Sequence, residues 1–171
     1  TSTFRRTPLI VQMFLIFLAL PQLAPPNLPR LRESLTLTAL QAGVIALGLN
    51  YGAYMTEIFR AGIQAVPGGQ REAALALGMS ERRIMIKIIL PQAIRIVTPA
   101  IGNEFIAMIK DSALVSWIGV QELLWRARIV GTAEFRSLET LLMAAAMYWI
   151  LTMILSFFQE RLEQRMARGD R

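Results

Sequence analysis

Apolar residues run in long uninterrupted stretches along this chain rather than at spaced core positions. A membrane-crossing helix needs about 20 largely apolar residues, because no water is present there to satisfy a broken backbone. Ser34 to Thr56 and Thr140 to Gln159 carry no charge, and each predicts a span. Thr7 to Pro29 is also uncharged, but Pro21, Pro25, Pro26 and Pro29 crowd its far end. The pattern predicts a helix from about Pro8 to Leu23, with Pro8 in its first turn, and then an extended external loop. The fourth run, Ala93 to Ile109, holds Arg95 at one end and Glu104 inside, with Pro99 and Gly102 between them, so a kinked or broken helix is predicted. Charges at membrane depth are costly and usually face a bundle interior or water, which makes this span the place to seek function. The fold class read from the pattern is an all-α membrane protein, a polytopic helical bundle. Its spans fall at about 8–23, 35–58, 93–110 and 139–158, with a cytoplasmic loop at 60–91, in a single domain over 1–171.

Charge then sets direction. Lys and Arg concentrate on the cytoplasmic flanks of membrane spans. Arg5 and Arg6 precede the first span; Arg60, Arg71, Arg82, Arg83 and Lys87 lie between the second and third; Arg161, Arg165, Arg168 and Arg171 follow the last. The opposite loops mix Arg30, Arg32, Arg126, Arg128 and Arg136 with Glu33, Glu122, Glu134 and Glu139. The start, the middle loop and the C terminus are therefore expected in the cytoplasm. The net charge of +6 reads as these flanks, facing lipid and cytoplasm, and not as a nucleic-acid surface, which needs a soluble basic body. There is no Cys and no His, which removes thiol nucleophiles, disulfides, zinc fingers and imidazole catalysis, and no cluster of carboxylates suggests another metal site. No phosphate-cradling Gly-Lys-Ser/Thr loop is present, so the chain is expected to be no enzyme and to hold no ATP or other cofactor itself.

The middle loop carries the most specific pattern. Pro67, Gly68 and Gly69 make a turn, Gln70 to Leu77 is rich in helix formers, and Gly78 ends that helix as a C-terminal cap. Ser80 is placed to cap a second helix, with Arg83 where a capping box wants Glu, and Pro91 is expected to interrupt it. The product is a helix–turn–helix knob. Ala73, Ala74 and Gly78 offer little bulk, so another protein's groove can approach; the chemistry equally allows a connector lying on anionic lipid through Arg82, Arg83 and Lys87.

Glu72-Ala73-Ala74, then Gly78, Ile88, Leu90 and Pro91 at their spacing resemble the EAA loop of bacterial ABC importer permeases. Phe4 to Gln12, Tyr54 to Ile63, Gly102 to Ile106 and Lys110-Asp111-Ser112 are similar to the polar amino acid subgroup, with Arg6 standing where Gly is common. The resemblance covers essentially the whole chain and implies the type I importer permease fold, with four of five spans and the first helix missing. It also implies a docking role for the loop against a cytoplasmic ATPase, which binds the ATP and Mg. A second permease subunit, homo- or heterodimeric, an extracytoplasmic solute-binding protein and a bacterial inner-membrane location are implied as well. Cargo is expected to be a polar amino acid; opines, cystine or a compatible solute are the alternatives within the fold, and a membrane scaffold is the alternative outside it.

An amino acid needs partners for its ammonium and carboxylate groups. The third span and its end supply Asn103, Glu104, Lys110, Asp111 and Ser112, with Glu104 and Asp111 about two helical turns apart. Pro99 and Gly102 would free carbonyls toward a cavity if they opened the helix. The bland reading is a Lys110–Asp111 pair at the membrane edge. Glu57 and Arg60 are expected to pair along their helix, and Gly43, Gly48 and Gly52 to permit close helix approach.

Overall fold

The computed structural model describes residues 5–167; Phe4, Arg168 and Arg171 lie outside them. Every regular element among the described residues is a helix. α1 spans Leu9–Leu23, α2 Pro29–Leu35, α3 Ala39–Ala65, α4 Gly68–Ala76, α5 Glu81–Ile118, α6 Leu123–Ala133 and α7 Ser137–Ala167. By length and composition α5 and α7 are long and apolar enough to cross a membrane, and α2 with α3 forms a third such unit bent by 66°. α1 is shorter than the about 20 residues a straight span needs.

The uncharged run that begins at Ser34 does not enter one helix. Thr38 ends the bend as an N-cap: its side chain accepts the Gln41 backbone N–H at 3.3 Å, and Gln41 Oε1 accepts the Thr38 N–H at 3.0 Å. This reciprocal box starts α3 at Ala39 rather than at 35 and fixes its axis. At its other end α3 runs to Ala65, well past 58, because nothing before Pro67 breaks it.

Pro91 does not interrupt the helix that follows the knob. Proline lacks an N–H and its ring crowds the carbonyl one turn back. A π-turn at Met85–Ile89 widens the helix just ahead, with the Leu90 N–H bonding Met85 O, and α5 continues through. The same device precedes Pro21, where Leu15–Ala19 form a π-turn and the Leu20 N–H bonds Leu15 O. Pro99 does not break α5 either; Leu90–Asp111 is continuous α-helix, followed by a 3₁₀ segment at Ser112–Ile118. One missing bond is tolerable inside a packed bundle. Gly102 serves contact instead of bending, since a Cβ there would lie 2.6 Å from the Gln159 amide on α7.

α3 and α5 run antiparallel in the closest contact of the fold. Gly62 sits against Val97 and Ala93, and Gly43 against Val115 and Ile118. Gly48 and Gly52 face open space, so of the three small residues expected to bring helices together only Gly43 does so among the described residues. Leu9 and Met13 of α1 join Ala42, Ala46, Tyr51, Val115 and Ile118 in the buried core. α7 folds back on α6 and α5 and exposes Leu142, Met143, Met147, Trp149 and Phe158, an apolar surface of the kind that lipid or another membrane chain covers.

Candidate functional site: a polar cavity and a surface knob

α5 turns one face toward α1 and α3. Residues seven apart on an α-helix return to nearly the same direction, so Glu104, Ala107 and Asp111 share that face and line a cavity of about 470 Å³. Arg5, Arg6, Thr7 and Pro8 from the segment before α1, Leu9 at its start, and Asn50, Tyr51 and Tyr54 from α3 complete the wall. The volume falls within the range of about 300–1,000 Å³ usual for small-molecule sites. Tyr51 donates its hydroxyl to Asp111 Oδ2 at 2.8 Å, tying the two helices at the cavity.

The remaining residues expected beside Glu104 point elsewhere, as the helix geometry requires. Asn103 accepts Gln159 Nε2 at 3.2 Å on the α7 side. Lys110 is exposed and does not line the cavity, and Ser112 returns its hydroxyl to Ile109 O at 2.6 Å. No Lys110–Asp111 pair forms among the described residues; Asp111 is engaged by Tyr51 instead. With α5 unbroken, side chains and not freed carbonyls furnish the cavity's polarity.

The α1 edge of the cavity is held by uncharged polar groups that hydropathy passes over. Buried Gln12 donates Nε2 to Thr7 O at 3.0 Å and to Thr7 Oγ1 at 2.9 Å, and its Oε1 accepts Asn50 Nδ2 at 3.3 Å. This chain pins the residues before α1 against the middle of α3. Gln12→Ala is expected to lower stability by about 1–3 kcal/mol, the usual cost of breaking a buried polar network. A thermal unfolding series of the purified complex, with Gln22→Ala as exposed control, measures it. Beside this edge, Glu57 receives both Arg60, as expected from their spacing, and Arg5, whose Nη2 lies 3.3 Å from Glu57 Oε1.

The knob is α4, the turn at Leu77–Ser80 and the first turn of α5. Gly78 has φ +76°, its N–H bonds Leu75 O at 2.9 Å, and the Met79 N–H bonds Ala74 O at 3.1 Å. These paired bonds close α4 in a left-handed cap that disfavours residues with a Cβ. Ser80 stands at the N-cap of the next helix, but its side chain makes no cap bond. Ala74 is not part of the outer surface. It is 3% exposed and packs against Ile84 and Ile89, forming the knob's own small core. Arg71 pairs with Glu81 across the two helices, and Gln92 Nε2 donates to Gln70 Oε1 at 2.7 Å, fastening α4 to α5. Glu72, Ala73, Leu90 and Pro91 are exposed, Ile88 is half-buried, and a Cβ at Gly78 would meet open space.

Sequence reasoning missed Glu122, which caps α6 by accepting the Leu124 and Trp125 N–H groups, each at 2.7 Å, and also accepts the Tyr148 hydroxyl at 2.7 Å. Its position just before an apolar stretch was the available signal. Trp117 and Trp125 stack with Arg128 and Arg126 on the same side of the fold.

Residues 1–168 match the family described as binding-protein-dependent transport system inner membrane component. The probable amino-acid permease protein YxeN of Bacillus subtilis (strain 168) is 41% identical over 170 residues, covering 99% of this chain and 73% of that protein. The arginine transport system permease protein ArtQ of the same organism is 39% identical, covering 99% of this chain and 74% of that one. The crystal structure of an amino acid ABC transporter with histidines superposes with a TM-score of 0.85 at 42% identity, covering 96% of this chain and 72% of that one. With the helical bundle, the cavity and the knob in one chain, these matches establish that it belongs to the binding-protein-dependent inner membrane components, the permease subunits of ABC importers.

Proposed function

We propose that this chain is the transmembrane subunit through which an ATP-driven importer moves polar amino acids across the bacterial cytoplasmic membrane. The cavity between α1, α3 and α5 is the cargo site in this reading. The observation that carries it is the meeting of opposite charges in one cavity, Glu104 and Asp111 on α5 facing Arg5 and Arg6 before α1. A free amino acid is a zwitterion and needs both signs. Relatives named for arginine and glutamine transport support the cargo class, and one named for L-cystine transport supports the cystine alternative within the same fold.

The knob is the coupling element, with Glu72, Ala73 and Gly78 on its free surface and Leu90 and Pro91 at its root. It docks on a cytoplasmic ATPase that binds ATP and Mg; two permease subunits share two ATPases, and a solute-binding protein delivers cargo outside. Closure of the ATPases moves the knob, and the knob moves α5, on which Glu104 and Asp111 stand. Transmission needs a stiff lever, and the Ala74–Ile84–Ile89 core with the Arg71–Glu81 pair supplies it. Such a switch works by differential binding to two arrangements. The C terminus lies on the cytoplasmic side with the knob.

Two carboxylates on the cavity face favour cationic amino acids. Glu104→Gln is expected to lower ATP-dependent uptake of arginine and lysine about tenfold relative to glutamine, the order expected for one charge-assisted hydrogen bond. Competitive uptake into proteoliposomes measures the ranking. An unchanged ranking removes Glu104 from the cargo site.

A further inference from the structure

The geometry points to a binding site for the phosphate of an anionic lipid, centred on Arg128 at the end of the bundle away from the knob. α6 carries two arginines, yet it lies beside the first turns of the membrane-crossing α7. Tyr148 donates to Glu122 at the start of α6, at 2.7 Å, and Gly131 near its end sits against Ser137 and Thr140. Arg128 therefore stands near the membrane edge, where Trp is enriched and long basic side chains reach the headgroups. Between α6 and the 3₁₀ segment Ser112–Ile118 lies a cavity of about 210 Å³, lined by Ser116, Trp117, Trp125, Arg128, Ile129 and Thr132. It is smaller than the roughly 300 Å³ at which small-molecule sites begin, a size for part of a headgroup and not for a whole ligand.

This cavity offers one sign of charge. No carboxylate lines it, and among the described residues none pairs with Arg128. The Arg128 guanidinium lies over the Trp117 ring, 4.7 Å from its centroid. A cation held over an aromatic face is positioned without spending its N–H donors on an acceptor, and the planar fork of arginine matches a phosphate. The two hydroxyls are already engaged as donors: Ser116 bonds Ala113 O at 2.7 Å and Thr132 bonds Arg128 O at 2.8 Å. Arg128 is thus the charged donor that the cavity presents. Arg126 differs, since it does not line this cavity and its Nη2 donates to Gln121 Oε1 at 3.0 Å. Trp117 and Ile129 are exposed at the mouth and offer apolar surface to the glycerol and first methylenes of a lipid, which a free phosphate ion would leave uncovered.

The test titrates the purified importer complex, in neutral detergent, with a short-chain phosphatidylglycerol and with the matching phosphatidylcholine. Native mass spectrometry counts the lipids retained. The wild-type complex is expected to hold phosphatidylglycerol about tenfold more tightly, the order of one charge-assisted pair. Arg128→Gln is expected to erase that preference, Arg128→Lys to keep part of it, and Arg126→Gln to leave it intact. No preference in the wild type, or an equal loss in Arg126→Gln, would overturn the site. Displacement of the lipid by inorganic phosphate at equal concentration would make it a free-anion site and overturn the lipid assignment. An Arg128→Gln variant that retains the lipid but no longer binds the solute-binding protein would overturn it as well, because the surface would then be a protein contact.

Discussion

Placing a single methyl group at Gly62 is expected to destabilise the bundle by about 3 kcal/mol, near the upper end of what overpacking a core usually costs. A Cβ there would stand 2.1 Å from Val97 Cγ1 and 3.3 Å from the Ala93 carbonyl oxygen. The first contact is far inside van der Waals distance. The second is with backbone, which cannot rotate away. α3 and α5 must therefore separate, and every contact between them that depends on close approach, the Tyr51–Asp111 bond included, is weakened together. The measurement is thermal unfolding of the purified complex for Gly62→Ala, Val97→Ala and the double variant. Removing the two Val97 methyls opens the space that the new Cβ needs, so the double variant is expected to be more stable than Gly62→Ala alone, with a coupling of about 1–3 kcal/mol between the two sites. Simple additivity would place the cost of Gly62→Ala outside this contact.

At Gly78 the expectation is the opposite: a small cost in stability and a large one in coupling. Its backbone is left-handed, φ +76°, a conformation that costs most L-residues about 1–2 kcal/mol and that Asn and Asp tolerate best. A Cβ added at Gly78 meets nothing within 4 Å among the described residues, so Gly78→Asp has room to point outward. Met79 and Ala74 keep the bond that closes α4, and the knob keeps its core. What changes is the surface proposed to enter the ATPase, which gains bulk and a negative charge. Gly78→Asp is expected to abolish amino-acid-stimulated ATP hydrolysis in reconstituted complexes while the permease folds normally. Gly78→Asn, equally at ease in the left-handed region but uncharged, is expected to keep part of the stimulation. Full stimulation in both would remove this surface from the coupling contact.

The sequence made the apolar runs legible because hydropathy is a sum over many residues and survives local irregularity. The Gly78 cap was legible too, since a glycine after a run of helix formers has one common use. Helix interruptions were not. Pro91 looks like a break, and it is absorbed by a π-turn that composition does not announce, as Pro21 is near the end of α1. Pro99 lies inside an unbroken helix. In the cavity, the spacing of Glu104 and Asp111 already placed them on one face, and the same arithmetic, applied strictly, sends Asn103 and Lys110 away from it. Asn50, Tyr51 and Gln12 were passed over because an uncharged polar residue hardly disturbs a hydropathy run, although at this depth each needs a partner. Ala74 shows a further limit: alanine suits a docking surface and a tight core equally, and only the position of Ile84 and Ile89 decides between them. The Arg5–Glu57 contact joins residues far apart in the chain and has no local signal at all.

These 171 residues contain no cysteine, so a single cysteine placed in the cavity is the one thiol of this stretch, and labelling it tests the central claim. Ala107→Cys places a thiol on the cavity face between Glu104 and Asp111, whereas Asn103→Cys places one on the α7 side of the same helix. Each variant, in the assembled importer, is treated with a small charged thiol reagent in the presence and absence of arginine. If the cavity is the cargo site, arginine slows labelling of the Ala107→Cys variant several-fold and leaves the Asn103→Cys variant unchanged. Equal labelling rates with and without any amino acid at Ala107→Cys, in a complex that still transports, would contradict the account and move the cargo path elsewhere in the bundle.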